Sequence, residues 1–301
     1  MRYRNALLAN LANGYPVALL AKNATGIYRR PTCHVSERIK QRGEGEPMAR
    51  ITAIINQKGG VAKTTTTRNL AAALTMEGHK VLMIDADPQG NLTTSLGASN
   101  EVGLYDVMQG KQTKRQIQET EDGDLIASTP DLAAADLVFI NTGKEYRLRE
   151  GLKNTIKYYD YVFIDCPPTL QILTINALTA ADDVIIPLEA NSFSLEGLHQ
   201  SIATIETVKK YCNPSLHVAG LLFTKYKGYI NSPKEWRLKI EEQAKAEGVP
   251  VYETCIREGT AIERAQGNQE SVFKSFNTSN PAKDYKAFML EYKKQERRPK
   301  K

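Results

Sequence analysis

Two lysines, two glycines and two threonines stand within eight residues, at Lys58-Gly59-Gly60-Val61-Ala62-Lys63-Thr64-Thr65. Glycines let successive backbone N–H groups turn toward one point, and a helix opening near Lys63 adds positive potential from its amino terminus. A lysine so placed reaches β- and γ-phosphates, and the hydroxyl of the next residue holds Mg²⁺. This is the chemistry of a nucleotide phosphate loop, lined by Gly59, Gly60, Val61, Ala62, Lys63, Thr64 and Thr65. Three carboxylates join it as candidates. Asp85 and Asp87 lie in Asp85-Ala86-Asp87-Pro88-Gln89-Gly90-Asn91, and Asp165 opens Asp165-Cys166-Pro167-Pro168.

Each of these groups follows a short, β-branched or aromatic apolar run: residues 51–55, 81–84 and 161–164. Such runs read as buried parallel strands. Carboxylates at the carboxyl ends of parallel strands lie on the edge where doubly wound sheets take ligands. Asp165 therefore reads as a residue that holds Mg²⁺ through a water, and Asp85 as structural. Further strands are expected over 125–127, 183–187 and 218–223. Helices are expected near 104–108, after the capping run Ser128-Thr129-Pro130-Asp131, over 145–158 on the surface, and over 170–180 and 195–211. The alternation implies an α/β fold of the P-loop NTPase type, a doubly wound, mainly parallel sheet with helices on both faces.

The loop departs from the G-x-x-x-x-G-K-S/T pattern, because Gln57 and Ala62 occupy the glycine positions and Lys58 is an added lysine. Its K-G-G-x-x-K-S/T form resembles the ParA/MinD family of deviant Walker A ATPases, Soj-like members included. The resemblance runs from about residue 49 to the end of the chain, through Pro187-Leu188-Glu189 and Leu195-Glu196-Gly197-Leu198. It implies ATP and Mg²⁺ as cofactors, with Thr64 and Asp165 serving the metal. It implies three catalytic residues: Lys58 crossing a nucleotide-sandwich homodimer to the partner's phosphates, Lys63 on the phosphates of its own subunit, and Asp87, in D-x-D-P-Q, positioning the attacking water. Slow ATP hydrolysis, non-specific DNA binding, a ParB-like centromere-binding partner and a cytoplasmic, nucleoid-associated setting are implied as well. A membrane-associated positioning ATPase and a nucleotide-gated transcription regulator are the alternative readings. Residues 256–265, Ile-Arg-Glu-Gly-Thr-Ala-Ile-Glu-Arg-Ala, replace the family's Arg-Asn-x-x-Leu-Ser-Glu-Ala-Pro stretch, a departure that bears on partner choice rather than on phosphate chemistry.

Hydrophobic residues make up 41% of the 301, enough to pack a core. Of the net charge of +6, residues 1–47 hold eight basic against three acidic side chains, so the rest of the chain stands at +1. Any affinity for nucleic acid must therefore come from a local patch. Four cysteines without C-x-x-C spacing argue against a zinc site or a disulfide framework and for reduced thiols. No apolar run approaches the ~18 residues that span a bilayer. Residues 1–47 lack the patterned apolar content that offsets ordering entropy. They are expected to be a disordered or over-called extension, with Met48 as an alternative start and 48–301 a single ATPase domain.

Weaker signals lie further on. Thr224 and Lys225 follow a strand where related nucleotide-binding folds recognise the base, so they read as adenine contacts or as an ordinary strand-end polar pair. Lys209, Lys210, Lys227, Lys234, Arg237 and Lys239 cluster in sequence and are the candidate DNA-binding residues, with interspersed glutamates allowing a solvated charged face instead. Tyr285, Phe288, Met289 and Tyr292 share a helical stripe, expected to dock on the body rather than on a membrane, with a frayed basic tail after it.

Overall fold

The computed structural model describes residues 49–296. The expected extension, residues 1–47, and the basic tail, residues 297–301, lie outside the described residues. Eight strands of the described residues form one sheet: β1 (Arg50–Ile54), β2 (Val81–Asp85), β3 (Ile117–Thr120), β4 (Gly123–Ile126), β5 (Tyr161–Asp165), β6 (Asp183–Leu188), β7 (His217–Tyr226) and β8 (Val251–Arg257). Their spatial order is β3-β4-β2-β5-β1-β6-β7-β8. All neighbours are parallel except β3 and β4, which are antiparallel. The principal helices are α1 (Lys63–Met76), α2 (Ile172–Ala180), α3 (Ser194–Tyr211), α4 (Asn231–Ala246), α5 (Thr260–Gly267) and α6 (Asn280–Glu296).

Strand side chains alternate between two cores, one on each face of the sheet. Ala53, Ile84, Ile164 and Ile186 face the core covered by α2, α3 and α4. Ile54, Met83, Phe163 and Ile185 face the core covered by α1, α5 and α6. Burial on both sides explains why the strands read as unbroken apolar runs. From β1 the chain first moves toward β2, and after β5 it returns past β1 to build β6, β7 and β8. The reversal opens a crevice at the carboxyl end of β1, and this places the phosphate loop.

The expected apolar stripe on the last helix is buried. Tyr285, Phe288, Met289 and Tyr292 are each at most 1% exposed. Tyr292 Oη hydrogen-bonds Thr52 Oγ1 of β1 at 2.7 Å, and Phe288 meets Tyr252 of β8 edge-on at 4.8 Å. Each such side chain is worth roughly 1.5–3 kcal/mol of burial, so α6 is a structural wall of the sheet.

Local details differ from expectation in several places, among them β8, which lies beyond the expected strands. β3 was not foreseen, because its Ile-Gln-Glu-Thr sequence is half polar, as an edge strand on a hairpin allows. Residues 145–158 do not form one helix: a 3₁₀ turn (Lys144–Tyr146), a short α-helix (Arg147–Leu152) and a second 3₁₀ turn (Ile156–Tyr158) break the run. Thr129 does not cap an α-helix through its side chain. Pro130–Ala134 instead forms a 3₁₀ turn that leads into Ala135–Val138.

Candidate active site

Residues 55–62 leave β1 and return as the first turn of α1. Gly60 sits at φ 78°, and Ala62 at φ 64°, ψ 33°, both in the left-handed region. For an L-residue that conformation costs about 1–2 kcal/mol, so Ala62 stands at a position suited to glycine. Ala62→Gly is expected to raise folding stability by about 0.5–1 kcal/mol, after about 0.4–1 is given back to unfolded-chain entropy. The midpoint of a urea titration measures it. A clear drop would mean the alanine methyl contributes packing that outweighs its backbone strain.

The loop is held from its flanks. Asn56 donates from Nδ2 to the Pro187 carbonyl at 2.7 Å and accepts the Lys58 N–H at 2.9 Å. Thr224, fully buried, donates its hydroxyl toward the carbonyls of Val61 and Leu188, at 3.1 and 3.2 Å. The geometry gives Thr224 the task of tying the loop to β6. Lys225 beside it adopts φ 49° and turns its ammonium to Glu189 at 3.5 Å. Sequence reasoning missed Asn56; its only signal was a polar residue interrupting the apolar strand end.

The two loop lysines point to different places. Lys63 is buried, and its ammonium donates to the carbonyls of Asn56 at 3.0 Å and Lys58 at 3.4 Å, with no carboxylate paired to it among the described residues. Burial pushes this ammonium below the ordinary lysine range, while Asp165, Cys166 and Asp87 pull it back. Lys58 instead extends toward Asn191 Oδ1 at 3.3 Å and lies 5.6 Å from the ring of Phe193, which is 72% exposed. One lysine serves its own loop; the other, half-buried, reaches Asn191 beside the exposed Phe193.

The strand-end carboxylates divide similarly. Register places Ile54, Asp85 and Asp165 side by side on β1, β2 and β5. Asp85 is enclosed and fully used: its oxygens accept Thr93 N–H at 2.8 Å, the Thr93 hydroxyl at 2.7 Å and Asp87 N–H at 3.3 Å. Burial, opposed by those hydrogen bonds, moves its carboxyl up to about 6. Among the described residues the Asp87 carboxylate accepts one hydrogen bond, from the Gln89 N–H at 3.0 Å. Asp165 accepts the Thr64 hydroxyl on Oδ2 at 2.6 Å, whereas its buried Oδ1 has no hydrogen-bond partner among the described residues. Burial first, then the charge of Asp85, push its carboxyl up to about 8.

An enclosed carboxylate oxygen without a donor, beside a threonine hydroxyl, is a donor set for a hard cation that takes oxygen ligands. The residues fit Mg²⁺, which Thr64 and Asp165 would hold. When bound, it would neutralise charge on the β- and γ-phosphate oxygens.

Residues 49–218 match the AAA domain family. The sporulation initiation inhibitor protein Soj of Bacillus subtilis is 39% identical over 232 residues, covering 75% of this chain and 90% of Soj. The chain belongs to the ParA/Soj family of ATPases. The chromosome partitioning protein ParA of Caulobacter vibrioides is 41% identical over 226 residues, covering 72% of this chain and 83% of that protein. Among solved structures, a cobyrinic acid a,c-diamide synthase of Mycobacterium smegmatis with bound ATP analog and magnesium is 33% identical. It covers 84% of this chain and 97% of its own, with a TM-score of 0.75. Membership in the ParA/Soj family accords with the loop, Asp87 and Asp165 meeting at one sheet edge.

The basic candidates are not brought together. Lys209 and Lys210 end α3, an 18-residue helix. Such a helix is about 27 Å long and carries them to the amino edge of the sheet, where β7 starts. Lys227 follows the carboxyl end of β7, and Lys234, Arg237 and Lys239 lie on α4, which starts at that same edge. Lys209 pairs with Glu206, Lys227 with Glu258 and Arg237 with Glu241. Arg237 also donates to Cys255 Sγ and lies 5.4 Å from the Phe223 ring, a half-buried packing role. Cys166, beside Asp165, is buried in the core.

Proposed function

We propose that this ParA/Soj ATPase is a partition switch. With ATP and Mg²⁺ it forms a nucleotide-sandwich homodimer that grips DNA without sequence preference; after slow hydrolysis, stimulated by a ParB-like protein, it separates and lets go. The contrast between the loop lysines carries the reading. Lys63 is an inward ammonium with no carboxylate partner among the described residues, matched to phosphates of its own subunit, and Lys58 extends beside exposed Phe193, matched to phosphates across an interface. Asp87 positions the attacking water, and the 1–47 extension is dispensable to this cycle. Lys227, Lys234 and Lys239, on the carboxyl-edge side, are the preferred DNA contacts, and Lys209 and Lys210 are set apart from them. The membrane reading is less favoured, because the apolar stripe of α6 is spent on the core; no described helix is long and apolar enough to cross a membrane.

The test is co-sedimentation of the full chain with DNA in ATP, ADP or no nucleotide, at two salt concentrations. Binding is expected only with ATP, with log K falling by ~0.9 per phosphate neutralised as log salt rises. Equal binding in all three states removes the switch. No binding in any state replaces DNA with a protein target.

A further inference from the structure

The polar face of α1 is committed to one distant segment. Thr65, Arg68 and Asn69, at i, i+3 and i+4, lie on the same side of the helix. Gln266 Nε2 donates to Thr65 Oγ1 at 2.9 Å, Arg68 Nη2 donates to the Gln269 carbonyl at 2.7 Å, and the Val272 N–H donates to Asn69 Oδ1 at 2.9 Å. Arg68 is buried and paired with Asp122 at 2.8 Å, so this contact face is fixed. The same turn reaches the segment after Asp87, since Gln269 Nε2 donates to the Thr94 carbonyl at 2.9 Å and Arg68 Nη1 to the Ser95 carbonyl at 2.5 Å. Gln269 makes these contacts from φ 56°, a conformation that glutamine adopts only at a cost.

Gln266 follows the 256–265 stretch in which this chain departs from its family's pattern. A threonine hydroxyl has one O–H to give and two lone pairs to fill. Because Gln266 donates to Thr65, the Thr65 proton is turned toward some other acceptor. Thr65 stands in the first turn of α1, two residues after Lys63, where helix N–H groups converge on an anion. We propose that Gln266 is a positioning residue of the nucleotide site: its amide fixes the Thr65 hydroxyl so that the proton is offered to a phosphate oxygen. The inference rests on the nucleotide reading of the loop.

The test uses the full chain, a fluorescent ATP analogue with Mg²⁺, and thermal melting of the nucleotide-free protein. Gln266→Leu is expected to weaken nucleotide binding about 3- to 10-fold, the range of one modest hydrogen bond. The loss should fall in KM, with kcat within about twofold and the nucleotide-free melting temperature unchanged. Gln266→Glu should weaken binding at least about 10-fold, because its carboxylate draws the Thr65 proton to itself and adds charge near the phosphates. In a Thr65→Val background, Gln266→Leu should add no further loss, since the group it acts through is gone. Wild-type affinity in Gln266→Leu, or losses that add in full, would overturn the proposal. So would a loss matched by a lower nucleotide-free melting temperature, which marks a merely structural contact. Should Lys63→Ala bind the analogue as well as wild type, the nucleotide reading itself fails, an outcome separate from all of these.

Discussion

Lys63→Ala is expected to abolish ATP-dependent dimerisation and to weaken ATP binding by roughly 30- to 5,000-fold. The range follows from the ~2–5 kcal/mol lost when one member of a buried, hydrogen-bonded charge pair is removed. The ammonium is buried, rests on two loop carbonyls and has no carboxylate paired to it among the described residues. An anion entering the loop therefore meets a charge that is already largely desolvated. That arrangement has a cost in the nucleotide-free protein, visible in the depression of the lysine below its ordinary range. Lys63→Met, which keeps the chain length and removes the charge, should leave the nucleotide-free fold as stable as wild type or more so by about 1 kcal/mol. Isothermal titration with ATP·Mg²⁺, size-exclusion chromatography with light scattering, and a denaturant titration measure the three quantities. A Lys63→Ala chain that dimerises normally with ATP would remove the phosphate-loop assignment.

What could be read beforehand follows from range. Residues 57–65, 85–91 and 165–168 are short segments with their chemistry written consecutively, each behind an apolar run that both faces of the sheet bury. Parallel pairing then had little choice but to align Asp85 and Asp165 beside the loop. Where the determinant is long-range, the sequence is silent. Nothing near Thr224 indicates that its hydroxyl serves the Val61 carbonyl, 163 positions away, and Gln266 finds Thr65 across 201 positions. The basic candidates fail as one cluster for a related reason. Proximity along the chain does not survive an 18-residue helix, which moves Lys209 and Lys210 to the opposite sheet edge from Lys227. The broken helix at 145–158 shows that charge pattern alone does not hold a helix, and the half-polar β3 needed its hairpin partner to become a strand.

Asp87 carries the second large expectation. Asp87→Ala and Asp87→Asn should bind ATP and dimerise while turnover falls about 10²- to 10⁴-fold, the span of a positioned acid–base group. The asparagine variant is the cleaner one. Its amide oxygen can still accept the Gln89 N–H that Asp87 Oδ1 accepts at 3.0 Å, so the turn into Gly90 and Asn91 keeps its shape while the charge disappears. The backbone carbonyl of residue 87, which receives the Ser128 hydroxyl at 2.7 Å, is untouched in both variants. Asp85 is a poor substitute for the role, because it is enclosed and both its oxygens are occupied by Thr93 and Asp87 N–H groups. Asp165 accepts the Thr64 hydroxyl, and with it would hold Mg²⁺. With a single hydrogen bond to its carboxylate among the described residues, Asp87 keeps capacity to orient a water, in keeping with the role proposed for it. Single-turnover hydrolysis by preformed dimers separates this from effects on binding. Unchanged single-turnover rates in Asp87→Asn would transfer the water-positioning role to a group outside these three carboxylates, with Lys58 of a second subunit the next to be tested.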